Sequence, residues 1–234
     1  MKLPVFCLLL VFCGTNSQFQ VSQTESGDVY AHLASLQVRL EELEQKQQKG
    51  AVYIHWGRTT CGNAVDGLTE TVYSGVAGGS HHNQPGGGTN YQCLPTEPQW
   101  GRYQDGVQGW KAFMWGAEYE LDTSYPFGSA SVHNHEVPCA VCYVPTRGSK
   151  LMIPARNTCP TDWTQEYHGY LMAEYYNHPG AKEFVCVDEQ PEAVPGGHAD
   201  NTEALFYPVE ARCGSLPCPS YVEGRELTCV VCTK

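Results

Sequence analysis

Hydrophobic positions follow two different rules along the chain. Val29, Leu33, Leu36, Leu40 and Leu43 recur at spacings of four and three, the apolar seam of a coiled coil. Asp28 is placed to cap the start and Gly50 to stop the helix. The pattern therefore predicts a coiled-coil helix over residues 28–50, about 33 Å long, after a polar, flexible segment at 18–27. Three heptads are marginal as an isolated helix, so the seam predicts a homo-oligomer, a dimer or a trimer. The competing reading is a helix folded back on its own domain with its polar face in water. From Ala51 onward, glycine, proline, tyrosine and tryptophan dominate, and short apolar runs such as Ala140-Val141-Cys142-Tyr143-Val144 sit between turn signals. That texture predicts β-structure with long loops.

The second region repeats itself. Arg58-Thr59-Thr60-Cys61 returns as Arg156-Asn157-Thr158-Cys159, Tyr73-Ser74-Gly75 as Tyr167-His168-Gly169, and Asn83-Gln84-Pro85-Gly86 as Asn177-His178-Pro179-Gly180. Each copy continues with a cysteine (Cys93, Cys186), a glutamate (Glu120, Glu210) and a terminal Cys-x-x-Cys. Ordered agreement at so many points predicts a tandem duplication, with a first repeat at 51–145 and a second at 146–234. The fold class expected is mainly β: a tandemly duplicated, disulfide-bridged β-domain preceded by a short coiled-coil helix.

The N-terminus sets the compartment. Lys2, the apolar run Val5 to Cys13 and the small residues Thr15-Asn16-Ser17 predict a signal peptide over 1–17. No later stretch reaches the roughly 20 apolar residues of a membrane helix, so a secreted, extracellular protein without membrane insertion is expected. Of 12 cysteines, Cys7 and Cys13 leave with the signal; Cys61, Cys93, Cys139, Cys142, Cys159, Cys186, Cys213, Cys218, Cys229 and Cys232 remain. An even set in an oxidising compartment reads as disulfides. Cys139-Ala-Val-Cys142 and Cys229-Val-Val-Cys232 also have the spacing of redox or zinc pairs, but their β-forming interiors lack the proline or charge that tunes a reactive thiol. The formal net charge of −11 argues against nucleic acid as a partner.

The framework Cys139-Ala-Val-Cys142, Cys159-Pro160-x-x-Trp163, Gly169, Cys186 and Cys229-Val-Val-Cys232 resembles the C-terminal non-collagenous domain of type IV and short-chain collagens. That domain is a β-rich tandem duplication whose halves join the first cysteine to the last and the second to the penultimate. The resemblance and the duplication together imply Cys61–Cys142, Cys93–Cys139, Cys159–Cys232, Cys186–Cys229 and the small loop Cys213–Cys218. There is no Gly-X-Y tract, hence no collagen triple helix; the leucine seam stands in its place. Within that seam, Arg39-Leu40-Glu41-Glu42-Leu43-Glu44 resembles the Arg-hydrophobic-x-x-hydrophobic-Glu pattern of short trimeric coiled coils. By length and cysteine order the chain also resembles the cysteine-rich egg lectins of sea hares, which bind galactose and galacturonic acid.

Signatures of enzymatic chemistry are missing: no Gly-x-Ser-x-Gly, no His-Glu-x-x-His, no phosphate loop and no dinucleotide fingerprint. No catalytic residue, cofactor or metal is therefore expected, and His133-Asn134-His135 reads as a solvated face. The best binding segment is Gly78 to Tyr91. Its glycines let backbone approach a ligand, while His81, His82, Asn83 and Asn90 offer directional hydrogen bonds and Tyr91 a face for stacking on a sugar. Arg58 and Arg156 are the residues suited to grip a uronate carboxylate bidentately; the plainer reading is that they brace a loop through backbone carbonyls. Glu120 and Glu210, repeated with the duplication, read as structural. The functional expectation is a carbohydrate-binding lectin (a hemagglutinin) for galactose or galacturonic acid, made multivalent by oligomerisation. The alternative is an extracellular matrix protein related to collagen C-terminal domains.

Overall fold

A computed structural model describes residues 23–46, 50–62, 67–122 and 124–234. The expected signal peptide, 1–17, lies outside the described residues. The helix region and residues 48–234 form separate compact units, and no described helix is long and apolar enough to cross a membrane.

The helix, α1, spans Gln23–Lys46. It begins five residues before the expected start, so Asp28 lies inside it rather than capping it, and part of the segment read as flexible is helical. The described helix runs to Lys46, and residues 47–49, between it and the expected stop at Gly50, lie outside the described residues. Val29, Leu33, Leu36, Leu40 and Leu43 are all exposed, between 47% and 58%.

Among the described residues of 48–234 the regular elements are all β-strands, joined by long loops: β1 (Ala51–Trp56), β2 (Glu70–Gly79), β3 (Gln92–Pro95), β4 (Trp115–Tyr119), β5 (Pro138–Val144), β6 (Lys150–Pro154), β7 (Thr164–Ala173), β8 (Val185–Asp188), β9 (Ala204–Pro208) and β10 (Thr228–Thr233). β-Branched and aromatic residues fill most of β1 and β10, as a pleated, half-buried surface favours. In the first part β5 lies between β1 and β2, and β2 also carries β3 and β4. In the second, β10 lies between β6 and β7, and β7 also carries β8 and β9. The pairing pattern of the first five strands thus recurs in the last five. The parts meet along two parallel contacts, β1 with β8 and β4 with β9. The hydrogen-bonded path β7–β8–β1–β5–β2–β4–β9 returns to β7, so the two halves are not separable units.

Each Cys-x-x-Cys has a strand-geometry rationale. Residues three apart on a strand point to opposite faces, so Cys139 sits in one core cluster with Trp56, Tyr91, Tyr119 and Phe206, while Cys142 sits in the other with Tyr53, Tyr167 and Leu171. The bridges are Cys61–Cys142, Cys93–Cys139, Cys159–Cys232, Cys186–Cys229 and Cys213–Cys218, with Cα separations of 5.6 to 6.0 Å. These are the pairs that the resemblance to collagen C-terminal domains and the duplication implied. None joins residues 51–145 to residues 146–234.

The recurring Tyr-x-Gly has an equally concrete cause. Tyr73 Oη donates to the Cys93 carbonyl at 3.0 Å and Tyr167 Oη to the Cys186 carbonyl at 2.9 Å. Two residues on, a Cβ at Gly75 would lie 2.0 Å from the Leu94 carbonyl oxygen, and one at Gly169 would lie 1.8 Å from that of Val187. Each tyrosine ties down the neighbouring strand, and each glycine lets that strand come close. Gly169→Ala should therefore push β8 off β7 and cost about 3 kcal/mol, whereas Gly86→Ala, with nothing within 4 Å, should be nearly neutral. Thermal unfolding of the two variants checks this; equal melting temperatures would refute the close-approach argument.

Candidate functional site

The ends of β7 and β9 open into a groove of about 1360 Å³. β7 closes with Ala173, paired to Tyr207 on β9, and the chain then turns through Glu174, Tyr175, Tyr176 and His178 along the groove wall. Tyr176 is 89% exposed, and Tyr125 and Phe184 also present apolar surface. The rings of Tyr175 and Tyr176 lie 4.6 Å apart, and Tyr175 lies 5.3 Å from Tyr207. Glu120, His133, Glu210 and Glu226 line the same groove.

Glu120 follows β4 and donates its backbone N–H to the Phe206 carbonyl on parallel β9 at 2.9 Å. Glu210 follows β9 two residues beyond its end. Both glutamates, read from the sequence as structural, therefore leave the same ends of adjacent strands and line the groove. Burial raises the Glu120 carboxyl above its usual range, with the His133 ring opposing and nearby carboxylates adding. Burial and the charges of Glu120 and Glu174 push Tyr207 up to about 12.

A buried ion pair holds the groove in place. Lys182 Nζ donates to Glu174 and, at 3.1 Å, to the Gly180 carbonyl; the two side chains are 0% and 2% exposed. His178 Nδ1 lies 2.9 Å from the other Glu174 oxygen. The repeated Asn-x-Pro-Gly loops meet here: Gly180 N–H donates to the His82 carbonyl at 2.9 Å, and a Cβ at Gly180 would fall 2.5 Å from the His81 carbonyl oxygen.

The expected sugar-binding residues divide accordingly. His82 stands beside the groove, its ring 4.7 Å from that of His178 and its Nδ1 3.2 Å from the Glu203 carbonyl. His81 packs edge-on to Trp115 at 5.1 Å and accepts the Asn83 N–H at Nδ1; partial burial and the neighbouring His82 hold it below the usual histidine range. Asn83 and Asn90 are exposed, Asn90 accepting from Thr89 Oγ1 at 3.3 Å. Tyr91 is a correction. It is 1% exposed, 4.0 Å from the Phe206 ring, and its hydroxyl donates to the Leu205 carbonyl. Core packing uses both ring faces, leaving none for a ligand.

Arg58 is likewise engaged inside the protein. Its Nε lies 3.1 Å from Glu192 Oε1, and its guanidinium donates to the Gln190 carbonyl at 3.1 Å, the bracing role that was the plainer expectation. Burial would raise the Glu192 carboxyl, but hydrogen bonds from the Thr59 hydroxyl and N–H, together with Arg58, bring it below its usual range. Arg156 is exposed beside Thr158, 3.4 Å from its hydroxyl. Neither arginine borders the groove. His133 and His135 do not converge: His133 Nδ1 accepts the Leu121 N–H at 3.2 Å, while His135 Nδ1 faces the His133 carbonyl at 2.8 Å. Carboxylate oxygens of Glu118, Glu120 and Asp200 lie within 4.8 Å of one another, close enough to admit a cation. Glu118 is already satisfied there by the N–H groups of Asn201 and Thr202.

No protein-family model matches the chain. Sequence reasoning missed Tyr175, Tyr176, Lys182 and Tyr207. The one available signal was position, since Glu174-Tyr175-Tyr176 directly precedes the repeated Asn177-His178-Pro179-Gly180.

Proposed function

We propose that the protein is a secreted carbohydrate-binding lectin whose sugar site is the groove beside β7 and β9. The observation that carries this reading is a groove lined together by exposed tyrosines, carboxylates and imidazole. Sugar rings have an apolar face that stacks on aromatic rings, and hydroxyls that carboxylates, imidazole and amide groups hold by hydrogen bonds. Five disulfides suit an oxidising, extracellular compartment. The repeated strand pattern and the resemblances to collagen C-terminal domains and sea-hare lectins support a tandem duplication as the origin of the fold. The exposed leucine seam of α1 supports a coiled-coil dimer or trimer, in which weak single sites gain avidity.

The test is a glycan array on the purified protein, followed by a Tyr175→Ala/Tyr176→Ala double variant. Each lost stacking surface is worth about 1 kcal/mol, so the double variant should bind the best glycan roughly tenfold more weakly or worse. Leu36→Ser/Leu40→Ser should leave a folded β-region but a monomer by light scattering, with agglutination lost and single-site binding kept. An array with no bound glycan would overturn the lectin reading and leave the matrix protein as the better one.

A further inference from the structure

Resting on the lectin reading, we propose that the groove selects glycans carrying free, protonated amino groups, deacetylated hexosamines, and rejects uronates. The charges on its walls decide this. Glu120, Asp122, Glu210 and Glu226 line it, and no described lysine or arginine is within ion-pair distance of any of them. The two cations of the lining are engaged elsewhere: Lys182 is fully buried against Glu174, and Arg212 pairs with Glu223 at 3.0 Å. His133 Nδ1 stands 3.8 Å from Glu120 Oε2, and accepts the Leu121 N–H at 3.2 Å.

An anionic sugar would enter this groove against uncompensated carboxylates. The one guanidinium among the lining residues, Arg212, is paired with Glu223, and Arg58, outside the lining, is paired with Glu192. A protonated amine gains twice, from charge-assisted hydrogen bonds to carboxylates and from the negative faces of Tyr175 and Tyr176. The sugar ring to which it is attached then has tyrosine to stack on. A neutral galactoside would gain only the stacking and ordinary hydrogen bonds.

Calorimetric titration of the purified protein, in chelator-containing buffer so that no metal competes for Glu120, distinguishes these ligands. The probes are a glucosamine tetramer, its N-acetylated counterpart, a galactose oligomer, tetragalacturonate and a tetralysine peptide. The glucosamine tetramer should bind at least about tenfold tighter than the acetylated one, the size of one charge-assisted hydrogen bond. That advantage should shrink with salt, with Glu120→Gln or Glu210→Gln, and above about pH 8, where an amine of this kind loses its proton. Burial disfavours the ionised Glu120 in the folded state, so Glu120→Gln is expected to keep its melting temperature. Equal binding of the free and acetylated tetramers, or tight binding of tetragalacturonate, would overturn the amine preference while leaving a lectin. Tetralysine binding as tightly as the sugar would overturn it in favour of bare charge recognition. No binding of any saccharide would overturn the lectin reading itself.

Discussion

Replacing Cys186 and Cys229 together by alanine should lower stability by about 4 kcal/mol, the loop-closure entropy of a bridge spanning 43 residues. Both sulfurs are buried in the second core cluster, so the lost volume adds to the loss. The bridge ties β8 to β10 across β7, and β8 is the strand through which the second half reaches β1. Removing it should therefore loosen the junction between halves as well as one half. Removing Cys213–Cys218, which closes a separation of 5 residues, should cost only about 2 kcal/mol by the same relation. Denaturant unfolding of both variants measures the contrast. Equal losses would mean that the bridges act by native packing and not by limiting the unfolded chain.

Lys182→Met should be comparably damaging, at about 3–5 kcal/mol, because it leaves the Glu174 carboxylate buried with only His178 to compensate it. The effect should spread into the groove, since Glu174 is the residue from which the Tyr175–Tyr176 wall departs. Adding Glu174→Gln to Lys182→Met should restore much of the stability, because the second change removes the stranded charge. Chemical denaturation of the wild type, both single variants and the double variant completes the cycle. A double variant less stable than Lys182→Met would show that the pair is held by packing and that its charge balance is secondary.

Both effects come from residues whose importance differs in how it can be read. The cysteine pairing was legible because the repeat places each cysteine in an ordered series and because that series resembles the framework of collagen C-terminal domains. Gly75 and Gly169 were legible as repeats, but their reason was not. A glycine required by a carbonyl 1.8 or 2.0 Å from its missing Cβ is visible only when the neighbouring strand is in place. Lys182 carried no sequence signal at all: in a loop of Gly180-Ala181-Lys182-Glu183 it reads as solvated, yet its ammonium is fully buried.

The binding residues diverged for a related reason. His81, Asn83 and Asn90 occupy a glycine-rich loop that looks free to meet a ligand, but Gly180 lets the second loop close on the backbone of His81 and His82. The exposed hydrogen-bonding wall is then contributed by the residues before that second loop. Tyr91 and Arg58 look identical in sequence to a stacking ring and a carboxylate grip; burial against Phe206 and an ion pair with Glu192 give them to the fold.

Local chemistry was enough for the features with a short range. The helical spacing of α1, the β-forming runs and the order of the cysteines each depend on a few neighbouring residues or on a pattern that recurs. What only the tertiary structure decided depends on the closure between halves through β1–β8 and β4–β9. That closure brings residues about a hundred positions apart into contact, buries Tyr91 and Lys182, engages Arg58 and leaves Tyr176 in water. Burial and charge compensation belong to pairs of distant segments, and periodicity along one chain carries no record of which segments will meet.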